Sequence, residues 1–160
     1  MSQGRLTGTA LGVDATESTL NQLVRVCLDG ERGFHAAAGK LNDSNLAHLF
    51  EGYSRQRSGF AQQLQRELGR LGLESELSGH AAVALQTGPP NGAAAGADRD
   101  EGTVITDCER AEERAIEAYG SALNSGLPPE VQVLVERQFT DMREVGEQLR
   151  SLARTYQRHT

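Results

Sequence analysis

Four stretches of the chain repeat apolar residues at three- and four-residue steps, the spacing of a helix with one buried face. The first runs from about Asp14 to Leu41 and sets Leu20, Leu23, Val24, Cys27, Phe34, Ala38 and Leu41 on one side. Asp14 followed by Glu17 suggests a capping box at its start. The second, about Asn45 to Leu71, aligns Leu46, Leu49, Phe50, Tyr53, Phe60, Leu64, Leu68 and Leu71, and Gly72 is a natural stop. The third, about Val104 to Leu123, carries Ile105, Cys108, Ala115, Ile116, Tyr119 and Leu123, with Gly126 just beyond. The fourth opens at Pro128-Pro129-Glu130, where proline suits a first helical turn, and continues through Val131, Leu134, Val135, Met142, Val145, Leu149, Leu152 and Tyr156.

The connections sort these helices into pairs. Residues 42–44 and 124–127 are short, so each joins an antiparallel hairpin. Residues 72–103 are long and rich in Gly, Ala and Pro. Helices of roughly 20–27 residues span about 30–40 Å at 1.5 Å per residue. A crossover of this length therefore travels a full bundle, with a short helix expected around Ala81–Leu85. An offset of 81 positions aligns Cys27 with Cys108, Glu31 with Glu112, Leu64 with Val145 and Leu68 with Leu149. Two related hairpins and a crossover predict an all-α, antiparallel four-helix bundle. Residues 14–157 form its single domain, and residues 1–13 are expected to be a disordered tail.

Composition narrows this picture. Nineteen leucines against eleven isoleucines and valines favour helix over sheet. A net charge of −6 opposes nonspecific binding to nucleic acid or anionic membrane, so neither is an expected partner. No stretch approaches the ~18 apolar residues of a membrane span, and Met1 to Asp14 lack the continuous apolar run of a secretory leader. The two cysteines are then expected as free thiols in a reducing cytoplasm.

Each apolar stripe is broken once near its middle by a polar residue: Glu31, Arg57, Glu112 and Gln138. In an antiparallel hairpin, residues equidistant from the turn share a height. Glu31 and Arg57 are centred on Ser44, and Glu112 and Gln138 on Ser125, so all four should meet in one buried layer. Buried charges need partners. One reading is a structural network with Arg57 bridging Glu31 and Glu112 while Gln138 completes the hydrogen bonds, since a guanidinium fork suits carboxylates. The other is an iron or manganese site built from Glu31, His35, Glu109, Glu112 and Glu136, which offers the oxygen and imidazole donors those metals accept. A cation already within the layer favours the network and no bound cofactor.

The motifs Asp29-Gly30-Glu31-Arg32-Gly33-Phe34, Cys108-Glu109-Arg110-Ala111-Glu112-Glu113 and Val135-Glu136-Arg137-Gln138-Phe139 resemble an uncharacterised bacterial family of ferritin-like four-helix-bundle proteins, known as a domain of unknown function. The resemblance implies a ferritin-like fold and a stress-related setting, and no established activity. In the wider superfamily two irons are held by a Glu on the first and third helices and by Glu-x-x-His on the second and fourth. Glu31 matches the first-helix ligand, and Glu109 with Glu112 resembles the paired third-helix carboxylates of rubrerythrin-like members. The second helix instead reads Arg57-Ser58-Gly59-Phe60 and the fourth Glu136-Arg137-Gln138-Phe139, so the di-iron pattern is incomplete.

Neither a nucleophile elbow nor a phosphate loop is present, and four scattered histidines build no triad. The chain is therefore expected to be a non-catalytic bundle, acting through its surface as a homo-oligomer. A metal-dependent redox protein is the alternative. An adaptor docking on a protein partner through residues 1–13 is a second. Gly30 and Gly59 flank the polar layer, where close helix approach would use them.

Overall fold

A computed structural model describes the backbone of residues 2–75 and 100–158, with the side chains of residues 15–75 and 100–157. The described residues form four α-helices and no strand: α1 (Ser2–Lys40), α2 (Ser44–Arg70), α3 (Glu101–Leu123) and α4 (Pro129–Arg158). The long crossover between α2 and α3, including the short helix expected at Ala81–Leu85, lies largely outside the described residues.

Local chemistry sets most of the boundaries. Asp43 caps α2, its carboxylate accepting from the N–H groups of Asn45 at 2.8 Å and Leu46 at 3.1 Å. Asp100 caps α3 through Thr103 N–H at 2.7 Å. Gly72 ends α2 at φ +72°, a left-handed conformation in which the Leu73 N–H returns to Leu68 O at 2.8 Å. Gly126, at φ +81°, turns the chain between α3 and α4. Pro129 opens α4, where its missing N–H leaves no helical bond unmade. The start of α1 differs from the expected one. The helix begins at Ser2, so Asp14 lies inside it. Backbone that the pattern assigns to a tail is helical, because extending a formed helix costs far less than nucleating one.

Contacts between helices follow one rule. Along α1 and α2, Gly30 lies against Arg57, Glu31 against Ser54 and Phe34 against Phe50. Along α3 and α4, Tyr119 meets Gln138, Glu109 meets Arg150 and Gly102 meets Tyr156. In both pairs residue number rises on one helix as it falls on the other. Between the pairs, α1 packs beside α3, and α2 meets α4 through bonds such as Tyr53 to Gln148 and Arg70 to Glu130.

The core has two halves. One gathers Leu20, Leu23, Val24, Phe60, Leu64, Leu68, Tyr119, Val131, Val135 and Met142. The other gathers Phe34, Leu41, Leu46, Phe50, Tyr53, Val104, Ile105, Val145 and Leu149. In the second, Phe34 meets Phe50 edge-on at 5.9 Å and Tyr53 at 5.2 Å, aromatic geometry worth more than area alone. Polar side chains occupy the boundary between the halves.

Both ends of the crossover are tied to the first hairpin. Asn21 Nδ2 donates to Glu74 O at 2.9 Å, and the Glu74 N–H donates to the Glu17 carboxylate at 3.1 Å. At the other end of the bundle, the Glu101 carboxylate accepts from Asn42 N–H at 2.6 Å and Asp43 N–H at 2.8 Å. These bonds fix where the chain leaves one hairpin and enters the next.

Candidate functional site at the buried ion pair

Among the described residues, Arg57 is the largest fully buried side chain. Its guanidinium forks onto Glu112, which is 2% exposed: Nη1 donates to Oε1 at 2.6 Å and Nη2 donates to Oε2. Two parallel charge-assisted bonds match a planar donor pair to a planar acceptor pair. Phe34 and Phe60 flank the cation, with ring centroids 5.4 and 5.9 Å from its central carbon. Glycine on α1 makes room for it. A Cβ on Gly30 would stand 3.2 Å from Arg57 Cγ and 3.6 Å from its Nη1. Gly146 plays a similar part on α4, where a Cβ would stand 3.0 Å from Ile116 Cδ1 and 3.7 Å from Glu112 Cγ. Gly59 has open space around it and serves no close approach.

The expected four-residue layer divides. Glu31 is only half-buried, and it contributes its backbone carbonyl, which accepts from Ser54 Oγ at 2.8 Å. Arg57 lies opposite Gly30 instead. The first hairpin is thus centred nearer Asn42–Asp43 than Ser44, and a one-residue displacement rotates a helical side chain by about 100°. Gln138 is buried but bonds elsewhere. Pairs such as Tyr119 with Gln138 and Glu109 with Arg150 centre the second hairpin near Pro128–Pro129, beyond the expected Ser125. Glu112 therefore faces Gly146, about two turns along α4 from Gln138.

Gln138 belongs to a second polar chain. Its Nε2 donates to Gln63 Oε1 at 2.9 Å and Phe60 O at 3.3 Å, and its Oε1 accepts from Tyr119 Oη at 2.7 Å. With that hydroxyl proton committed, the Cys27 thiol is the donor in the 3.0 Å contact with Tyr119 Oη. Burial pushes the Cys27 thiol up to about 11. Burial also holds the Tyr119 hydroxyl well above its ordinary value. Tyr119 and Gln63 were not among the expected polar positions. The available signal was that a tyrosine on an apolar stripe needs a partner for its hydroxyl.

The proposed metal donors are spread apart. His35 Nδ1 meets Glu51 at 2.8 Å on the exposed side of the first hairpin. Glu109 lies 3.8 Å from Arg150. Glu136 is exposed, and Glu112 is committed to Arg57. Among the described residues, no three His, Cys, Asp or Glu side chains gather as a metal-binding group. Cys27 and Cys108 are both free and belong to opposite halves of the core. Burial, reinforced by Asp107 and Glu112, pushes Cys108 up to about 12.

A cleft of about 440 Å³ lies between α1 and α3, lined by both Arg57 and Glu112. Its α1 wall includes Gly30, Gly33 and Ala37, and its α3 wall Cys108, Ala111 and Ala115. No helix among the described residues is long and apolar enough to cross a membrane.

These features define a class: a protein whose described residues form four packed helices with an Arg–Glu pair buried at the junction of the two core halves. The chain belongs to the DUF2383 family, a domain of unknown function, which it matches over residues 15–125. The matched stretch includes both Arg57 and Glu112 and stops before α4, so Gln138 lies outside it. No curated protein matches the chain.

Proposed function

We propose that this protein is a non-catalytic, cytoplasmic bundle of ferritin-like, antiparallel topology in which a buried ion pair takes the place of a di-iron centre. The observation that carries this reading is the Arg57 guanidinium, unexposed and doubly bonded to Glu112 at the centre of the core. A cation fixed there already balances the one fully buried carboxylate among the expected ligands, and a metal ion would add charge with no further buried carboxylate to offset it. The remaining donors point to different tasks: His35 to Glu51, Glu109 towards Arg150, Glu136 to solvent. The protein then acts by binding rather than by electron transfer or oxygen chemistry.

Metal analysis of the purified protein tests this. After incubation with ferrous iron or manganese and desalting, the expected content is well below one metal per chain. Two bound metals per chain, lost in Glu112→Gln, would establish the metal-dependent redox alternative instead.

A further inference from the structure

We propose that the Arg57–Glu112 pair is a pairing code: it directs the first hairpin, α1–α2, to dock on a second hairpin, α3–α4, and not on another first one. This role holds whatever the bundle binds, because it concerns only which halves of the chain associate.

Three observations support it. The first is the placement of buried charge. Among the described residues, Arg57 and Glu112 are the only ionic side chains in the buried set, one on each hairpin. Their bonds, from Nη1 to Oε1 at 2.6 Å and from Nη2 to Oε2, therefore form only when unlike hairpins meet. The second is the likeness of the apolar faces. The offset of 81 that aligns Glu31 with Glu112 also sets Leu64 on Val145, Leu68 on Leu149 and Leu71 on Leu152. Aliphatic burial has no direction, so it accepts a like hairpin almost as readily as the unlike one. The third is the connection. Residues 71–100 join the hairpins, enough chain for each to dock on a hairpin of another copy.

Charge then decides. Two first hairpins would bring two Arg57 cations into one core, where Glu31 is half-buried and Arg57 lies opposite Gly30. Two second hairpins would bring two Glu112 carboxylates together with no buried cation beside them. Even were Glu31 to turn inward, the second hairpins of the same two chains would still strand both Glu112 side chains. Each stranded charge disfavours the wrong assembly by about a hundredfold or more. The neutral bonds from Cys27 to Tyr119 and from Gln138 to Gln63 also cross between hairpins, but they carry no sign to reject a like partner.

Two full-length chains with complementary losses test this. Arg57→Met strands Glu112, and Glu112→Leu strands Arg57; neither chain relieves its charge by pairing with its own copies. Exchange of hairpins between the two chains does. One half of the exchanged dimer then carries both apolar replacements, and the other half carries the native Arg57–Glu112 pair. The two variants, one of them tagged, are unfolded in urea, mixed in equal amounts and refolded by dilution. Light scattering should find a heterodimer of about twice the 17.2 kDa chain mass. It should be at least about tenfold more abundant than in a control mixture of the parent with the Arg57→Met, Glu112→Leu double variant, where no chain strands a charge. Its urea midpoint should match the parent's and exceed that of either variant refolded alone. The proposal fails if the mixture holds no more heterodimer than the control, or if the heterodimer gains nothing in urea midpoint over the single variants. Both criteria apply equally to a single variant that does not fold alone, because the mixture itself is what is read.

Discussion

Glu112→Leu isolates the energetics of the buried pair. The substitution keeps an apolar body on α3 but removes both acceptors of the guanidinium, leaving Arg57 unexposed between Phe34 and Phe60. Breaking a buried pair in this way costs about 3–5 kcal/mol, because the surviving charge keeps its desolvation penalty and loses its partner. A domain of this size is stable by about 5–15 kcal/mol, so one substitution removes a large share of the total. Arg57→Met should cost a similar amount, with Glu112 the stranded charge. The double substitution Arg57→Met with Glu112→Leu strands nothing. It should return to within about 1 kcal/mol of the parent or exceed it, as apolar replacements of buried pairs do. Urea unfolding followed by circular dichroism gives each value, and the cycle gives the coupling between the sites. Additive single effects, or a loss below about 1 kcal/mol for Glu112→Leu, would refute a desolvated, mutually dependent pair.

Other consequences are separable. Gly33→Ala, where a Cβ meets nothing, should stabilise by up to about 1 kcal/mol through helix propensity. Gly30→Ala should destabilise in the same urea assay, because its Cβ meets an Arg57 stem that Glu112 holds in place. Tyr119→Phe leaves Gln138 Oε1 buried without a donor, at a cost of about 1–3 kcal/mol, and a smaller loss would show that the amide finds another partner. Burial raises the thiols of Cys27 and Cys108 from 9.0 to about 11 and about 12. The unfolded chain therefore releases these protons first. Stability contributed by the protonated thiols is complete below about pH 9 and is lost as pH rises, by about 1 kcal/mol per pH unit for each thiol between about pH 9 and 11. Unfolding measured across that interval should show the decline, and Cys108→Ala should make it shallower.

Much of the fold was legible because it rests on local chemistry and periodicity. Gly72, Gly126 and Pro129 mark helix ends through backbone preferences that act without tertiary help, and the apolar stripes name most of the buried apolar residues, although Leu49 is exposed. The candidate site depends on something finer. Arg57, Glu112 and Gln138 are buried as their stripe positions predict, but which of them touch is set by the centre of each turn. Moving the second centre from Ser125 to Pro128–Pro129 carries Gln138 away from Glu112 and hands it to Tyr119. Moving the first from Ser44 towards Asn42–Asp43 puts Gly30 where Glu31 was expected, and so exchanges a second carboxylate for a glycine against which the Arg57 stem packs. That exchange governs the site. With Glu31 turned away, Glu112 is the carboxylate partner of Arg57, Nε donates to Gln56, and the guanidinium stays unexposed. A symmetric Glu–Arg–Glu layer would have closed the core. The displaced layer stays electrically neutral with one carboxylate on one cation, so removing either member strands the charge of the other.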